Sequence, residues 1–249
     1  MNYLEQFFKE NPKAAVAFSG GVDSAYLLYA AVTYGSDVKA YYVKTAFQPR
    51  FELTDAEKLA TELGIRMQVI HLDILSSKII TDNPPDRCYH CKKAIFSAIR
   101  AAAKQDGFAL LLDGTNASDD AADRPGMRAL EELSVRSPLR EAGLSKVQIR
   151  RLSRDAGLFT CDKPAYACLA TRISTGESIT AQKLSRTEEA EHYLAGLGFR
   201  DFRVRTMGNT AKLQVTDADL PLVIANRAQI TARLRKSYDS VLLDLEVRK

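Results

Sequence analysis

Ala14-Ala15-Val16-Ala17-Phe18 is apolar at every position and runs straight into Ser19-Gly20-Gly21-Val22-Asp23-Ser24. An apolar run without polar alternation reads as a strand covered on both faces, which points to a parallel sheet with helices above and below it. Glycines at the end of the strand let the backbone turn sharply, and a helical pattern follows from Ser24 to Tyr34, closed by Gly35. Backbone N–H groups gathered at such a helix start form a cradle for a pyrophosphate group. The Gly-Lys-Ser/Thr ending of the Walker loop is absent, so γ-phosphoryl transfer is not the natural reading. Asp23 would face the phosphates, where a carboxylate makes sense if it helps hold a magnesium ion. The plainer alternative for a bare Gly-Gly is a tight strand-to-helix turn with Asp23 as a helix cap.

The same alternation recurs downstream: strand Val38 to Val43, helix Thr54 to Leu63, strand Arg66 to Leu72, a helix near Lys92 to Ala103, and strand Phe108 to Leu112. Strands and helices in turn at this spacing predict an α/β fold with a doubly wound parallel sheet. The last strand runs into Asp113-Gly114-Thr115-Asn116, where open parallel sheets bind ligands, although these residues are also good turn formers. Helical stretches follow at Gly126 to Leu133 and Ser145 to Ala156, and Cys161 to Gly176 reads as a loop. A second compact pattern comes next: helix Ala181 to Leu197, strand Asp201 to Met207, a Gly208-Asn209 turn, strand Ala211 to Thr216, helix Ala218 to Lys236 and strand Ser240 to Val247. The expected organisation is a nucleotide-binding domain over residues 1–176 and a small α+β domain over 177–249.

The chain has 249 residues with 46% hydrophobic and 27% charged composition, enough for a sizeable core without metal or disulfide support. Its N-terminus is charged and amphipathic and no apolar run approaches a membrane span, so a cytoplasmic protein without a membrane partner is expected. A net charge of +4 with both signs interspersed is too weak a bias to indicate a nucleic-acid partner. The run Lys146, Arg150, Arg151, Arg154 reads as an exposed helix face.

The cysteines are Cys88, Cys91, Cys161 and Cys168. Cys88 and Cys91 form a Cys-x-x-Cys just ahead of a helix, with Lys92 and Lys93 beside them, a spacing at which two thiolates share one metal or cluster. A second pair at zinc spacing is absent. One alternative is three ligands with an open position: Cys88, Cys91 and one of the later cysteines holding an iron–sulfur cluster. Cys168 lies between the basic residues Lys163 and Arg172, which suits a reactive thiolate, while the blander reading is a small buried hydrophobe.

The six-residue loop matches the signature of PP-loop ATP pyrophosphatases, which cleave ATP to AMP and pyrophosphate. Together with Arg87-Cys88-Tyr89-His90-Cys91-Lys92-Lys93, Asp113-Gly114-Thr115-Asn116, Arg136-Ser137-Pro138-Leu139 and Pro164-Ala165-Tyr166-Ala167-Cys168-Leu169-Ala170-Thr171-Arg172, it resembles the LarE family, from the first loop into the small domain. The resemblance implies a PP-loop, adenine nucleotide alpha hydrolase-like fold. It implies ATP and Mg2+ at Ser19, Gly20, Gly21, Asp23, Ser24, Gly114, Thr115 and Asn116. It implies an ATP-dependent sulfur transferase: one carboxylate of pyridinium-3,5-biscarboxylic acid mononucleotide is adenylated, sulfur displaces AMP, and a thiocarboxylate results. Cys168 matches the family's loop cysteine, which in some members gives up its own sulfur and ends as dehydroalanine. In others three cysteines hold a [4Fe-4S] cluster with an extra sulfide, and the presence of Cys88, Cys91 and Cys168 favours that version here.

Arg203 and Arg205 alternate along one strand and share a face; the resemblance makes them candidates for the substrate phosphate, with Glu191 as a polar or metal partner. Gln214 and Met207 stand where the family carries glutamate and histidine. The same resemblance implies a homo-oligomer. Competing expectations are a PP-loop tRNA thiolase, an ammonia-using amide synthetase with structural cysteines, and a protein that binds ATP without chemistry.

Overall fold

The computed structural model describes residues 2–119, 124–164 and 166–248. Its elements are α1 (Tyr3–Glu10), β1 (Lys13–Ala17), α2 (Val22–Thr33), β2 (Asp37–Lys44), α3 (Arg50–Glu62), β3 (Arg66–His71), α4 (Lys78–Thr81), α5 (Arg87–Gln105), β4 (Leu111–Leu112), α6 (Arg124–Glu132), α7 (Pro138–Glu141) and α8 (Lys146–Asp155). After two short 3-10 turns, Phe159–Asp162 and Leu169–Arg172, come α9 (Ala181–Gly196), β5 (Arg203–Met207), β6 (Thr210–Gln214), α10 (Leu220–Ala225), α11 (Arg227–Leu234) and β7 (Ser240–Leu243). They form two compact units, one of Met1–Ile74 with Asp86–Ala165, the other of Leu75–Pro85 with Tyr166–Lys249.

The first unit is the expected α/β layer structure. Its parallel sheet has the order β3-β2-β1-β4, with Ala14 opposite Val38, Lys39 opposite Arg66 and Ala15 opposite Leu111. Alternation along the strands sends Ala14, Val16, Ala40 and Tyr42 to one face, against α1, α2, α3 and α8, and Ala15, Tyr41 and Val43 to the other, against α5 and α6. Leu27 and Leu28 of α2 are both fully buried, each contributing about 1.5–3 kcal/mol by transfer from water. The chain winds outward from β1 through β2 to β3, then returns to the other side of β1 for β4. That reversal opens a crevice beyond the carboxyl ends of β1 and β4, the place where such sheets bind ligands.

Several boundaries differ from those the sequence predicts. α3 starts at Arg50 because Pro49, already at φ −65°, sets the entry geometry, well ahead of Thr54. α5 starts at Arg87, so Cys88 and Cys91 lie within the helix instead of in front of it. β4 is only two residues long, continued by the segment of Arg136, whose N–H and carbonyl bond Leu111 and Asp113. The helix expected from Ala218 to Lys236 breaks at Asn226, which ends α10 and begins α11.

The second unit packs α9, α10 and α11 on a mixed sheet of order β5-β6-β7, around Leu194, Val204, Ala211, Leu213 and Ile230. β5 and β6 form the expected antiparallel hairpin, turned at Gly208 with φ 55°, while β7 runs parallel to β6. Unlike a single cut after residue 176, this unit takes in Leu75–Pro85 and begins again at Tyr166. Hydrogen bonds explain the difference: the fully buried Asn83 donates to Ser174 O at 2.7 Å and to Glu177 O at 3.2 Å, and accepts from Gly176 N at 2.8 Å. Beneath the Leu169–Arg172 turn lies a buried ion pair, Arg172 Nε to Glu191 Oε1 at 2.8 Å.

Two substitutions probe this packing. A Cβ on Gly114, just past β4, would stand 2.7 Å from the backbone nitrogen of Ser24, so Gly114→Ala is expected to cost about 1–3 kcal/mol, read as a lowered urea midpoint at unchanged slope; a wild-type midpoint would refute the contact. Glu191→Ala leaves the Arg172 guanidinium buried without its carboxylate, with an expected loss of about 3–5 kcal/mol by the same measurement, and an unaltered midpoint would show that the pair carries no weight.

Candidate active site

The loop from β1 to α2 has the geometry that a phosphate cradle requires. Gly20 adopts φ 73°, a region costly for residues with a side chain, and a Cβ there would meet Glu52 O at 3.0 Å. Ser19 and Ser24 brace the turn: Ser19 N donates to Ser24 Oγ at 3.3 Å, the two hydroxyls lie 3.1 Å apart, and Gly21 N donates to Ser19 Oγ at 3.3 Å. Gly21 is the N-cap residue of α2 and supplies no side-chain cap, which leaves the first-turn N–H groups and the positive end of the helix dipole for an anion.

The Asp113-Gly114-Thr115-Asn116 segment closes the other side of the crevice. With no side chain, Gly114 sits directly against the backbone of Asp23 and Ser24. Asn116, fully buried, donates from Nδ2 to Asp23 Oδ1 at 3.4 Å and accepts from Ser118 N at 2.8 Å. The Thr115 hydroxyl donates to Asp113, as does that of Ser137 at 2.6 Å. Burial pushes the Asp113 carboxyl above the usual carboxylate range, and the two hydroxyls and the Lys92 charge oppose that shift. Ser19, Gly20, Gly21, Asp23, Ser24, Gly114 and Asn116 are thus brought together, with Thr115 turned onto Asp113.

Two lysines reach this site that sequence reasoning did not place there. Lys146 does not belong to an exposed helix face: its ammonium group pairs with Asp23, and its backbone N–H donates to Ser118 Oγ at 3.0 Å. The Ser145–Gln148 capping box fixes the start of α8 and so aims Lys146. Arg150 also turns inward, donating to Lys163 O at 2.7 Å and to Cys161 O, which leaves Arg151 and Arg154 as the exposed part of the run. Lys163 bonds Gly20 O at 3.2 Å and pairs with Asp55 at 2.6 Å, tying the phosphate loop to the segment after α8. Two ammonium groups beside an open helix N-terminus suit a polyphosphate.

In the second unit Arg203 and Arg205 do share one side of β5, but not as a solvated face. Arg203 is 7% exposed and donates to Phe202 O at 2.6 Å; Arg205 donates to Gln214 Oε1 at 2.9 Å and to Thr171 O. Burial holds both guanidiniums below the usual arginine range, and the charges of Arg172 and Arg248 add to the effect. Glu191 lies at the centre, accepting from Arg172, from Val204 N at 3.0 Å and from the Tyr166 hydroxyl. Cys168 is half-buried and begins the short turn that ends at Arg172.

None of the four cysteines is in a disulfide. Cys88 and Cys91 are half-buried in the first unit, and the Arg87 guanidinium lies 3.8 Å from Cys88 Sγ. Among the described residues, no three His, Cys, Asp or Glu side chains are gathered as a ready-made metal site, and no helix is long and apolar enough to cross a membrane.

Comparison with known proteins agrees with this geometry. The family model described as queuosine biosynthesis protein QueC matches residues 13–83, the stretch that begins with β1 and the phosphate loop. An uncharacterized protein of Synechocystis is 38% identical over 215 residues, covering 85% of this chain and 80% of its own length. An uncharacterized protein of Methanocaldococcus jannaschii is 30% identical over 247 residues, 99% of this chain and 94% of its own. The pyridinium-3,5-bisthiocarboxylic acid mononucleotide synthase of Lactiplantibacillus plantarum is 33% identical over 240 residues, 95% of this chain and 87% of that protein. With a braced glycine turn at β1, a second loop pressed against it and this full-length similarity, the chain belongs to the PP-loop ATP pyrophosphatase superfamily, in the same family as that synthase.

Proposed function

We propose that the chain is an AMP-forming, ATP-dependent sulfur transferase that converts a carboxylate of pyridinium-3,5-biscarboxylic acid mononucleotide into a thiocarboxylate. The observation that carries the reading is the phosphate loop with Asp23 and Lys146 at the open start of α2. The substrate is supported by the name of the Lactiplantibacillus plantarum relative and by its alignment over 95% of this chain.

In the first step a substrate carboxylate oxygen attacks the α-phosphorus of ATP. The bond from the α-phosphorus to the bridging oxygen breaks, and pyrophosphate leaves. The first-turn N–H groups of α2 and the Lys146 ammonium stabilise the charge that develops on it. Asp23 is the carboxylate that would hold magnesium, which when bound would neutralise phosphate oxygens and would leave the Lys146 ammonium, now paired with Asp23, to face the nucleotide. In the second step a sulfur nucleophile attacks the acyl carbon and AMP departs with the bonding pair, an easier displacement than loss of oxide from a carboxylate.

Cys168 is the residue we assign to sulfur delivery. Acting alone, its thiolate forms a thioester with the substrate; loss of the Cα proton and cleavage of the Cβ–Sγ bond then leave dehydroalanine and the thiocarboxylate. In the version favoured here Cys88, Cys91 and Cys168 would hold a [4Fe-4S] cluster, whose bound sulfide would supply the sulfur in place of the cysteine. All three thiols are outside disulfides, and thiolates are the ligands such a cluster takes, although the described residues do not gather them as a ready-made site. Arg203 and Arg205 take the substrate phosphate, since two desolvated guanidiniums crowded by Arg172 and Arg248 gain from an added anion. The homo-oligomer expected for the chain rests on the same family membership.

Cys168→Ser is expected to release pyrophosphate when given ATP and the biscarboxylate nucleotide yet to form no thiocarboxylate, with both products followed by mass spectrometry; thiocarboxylate formation at the wild-type rate would refute the assignment. Protein purified without oxygen should carry on the order of four iron and four or more sulfide per chain. Metal-free protein that turns over once and loses Cys168 as dehydroalanine would reject the cluster in favour of the sacrificial cysteine.

A further inference from the structure

Glu191 has no oxygen left over for a substrate or a metal. Oε1 accepts from Arg172 Nε at 2.8 Å and from Val204 N at 3.0 Å; Oε2 accepts from the Tyr166 hydroxyl and from Arg172 Nη2 at 3.3 Å. Its side chain is 6% exposed and that of Arg172 1%, so water does not compete for these bonds. The rest of the Arg172 guanidinium faces the other way. Nη1 donates to Ala167 O at 2.9 Å, Thr171 Oγ1 at 2.8 Å and, more weakly, Cys168 O at 3.5 Å. Thr171 returns two bonds to the same Cys168 carbonyl, from its N–H at 3.0 Å and its hydroxyl at 2.8 Å. The Tyr166 ring lies under the guanidinium, 4.6 Å from its carbon. The far end of this segment is held by Arg205, which donates to Thr171 O.

From this arrangement we infer that Tyr166, Arg172 and Glu191 are positioning residues: they lock the backbone on both sides of Cys168 and thereby fix the direction of its Cα–Cβ bond. The inference rests on the assignment of sulfur delivery to Cys168 and moves Glu191 from the substrate to the scaffold. A neutral loop of this length would hold several conformers, each pointing the sulfur differently, and a displacement near 1 Å costs a displacement reaction heavily. A buried bidentate Arg–carboxylate pair fixes both partners through planar geometry, which a lysine could not reproduce. The tyrosine hydroxyl adds a third point, so that residues 166, 168 and 172 are all referred to one carboxylate on α9. Arg205, assigned to the substrate phosphate, touches the same segment at Thr171, so the proposed phosphate ligand and the sulfur-bearing residue share one frame.

Tyr166→Phe is the decisive variant because it removes a single hydroxyl and keeps the ring, whereas changes at Glu191 or Arg172 endanger folding. Backbone amide exchange by mass spectrometry, run with sulfur-transfer kinetics on the full chain, should show faster exchange over residues 166–173, pyrophosphate release unchanged, and kcat for thiocarboxylate lower by roughly tenfold to a hundredfold at constant KM for ATP. Unchanged exchange overturns the lock, and faster exchange with unchanged kcat overturns its role in catalysis. A wild-type chain that makes no thiocarboxylate at all overturns the functional reading instead, while the exchange result still decides whether the hydroxyl holds the segment.

Discussion

The close approach of two backbones at the carboxyl end of the first sheet is the constraint on which the first unit depends. Gly114 lies against Ser24 where no side chain fits, and Gly20 makes a turn with φ 73° beside the carbonyl of Glu52. These contacts bring the end of β4 onto the start of α2, and everything that could grip a nucleotide follows from them. Asn116 can reach Asp23 only because Gly114 lets its loop come so close. The open helix start, in turn, stays open because a glycine, with no side chain to cap it, occupies the N-cap position.

The second unit solves a different problem. It gathers four arginines, of which Arg172 and Arg203 are buried and Arg205 and Arg248 half-buried, with the buried carboxylate of Glu191 beside them. Desolvated like charges cost free energy that packing must offset. Such a concentration is tolerable in a stable unit where planar hydrogen bonds and aromatic faces share the load, as the Tyr166 ring does for Arg172 and Arg203.

Much of this was legible in the chain because it is local. The apolar strand, the glycine pair and the helix that follows lie within about twenty consecutive residues, and periodicity reports them directly. The hairpin at Gly208 was legible for the same reason. Lys146 and Lys163 were not, since they meet the phosphate loop across 123 and 143 residues of sequence. A cation that begins a helix looks like solvent-facing charge until the fold brings a carboxylate to it. Likewise nothing in the spacing of Glu191, Arg172 and Tyr166 reveals that one carboxylate on α9 serves both residues of the cysteine segment. Helix ends depart from the hydrophobic pattern where a proline sets the start ahead of it, as at Pro49, or an asparagine interrupts it, as at Asn226.

The excursion of residues 75–85 into the second unit has a bearing on how the chain is made. Asn83 has its partners at Ile173, Ser174 and Glu177, between 90 and 94 positions further on. During synthesis this short stretch leaves the ribosome long before anything it can pack against exists, so its polar groups remain in water while the surrounding sheet forms. The second unit can therefore be completed only after residue 177 has emerged, around a segment that comes from between the two stretches of the first. No contiguous stretch of the sequence consists of this unit alone, and the loop-closure entropy of that long detour must be met before residues 75–85 gain their packing.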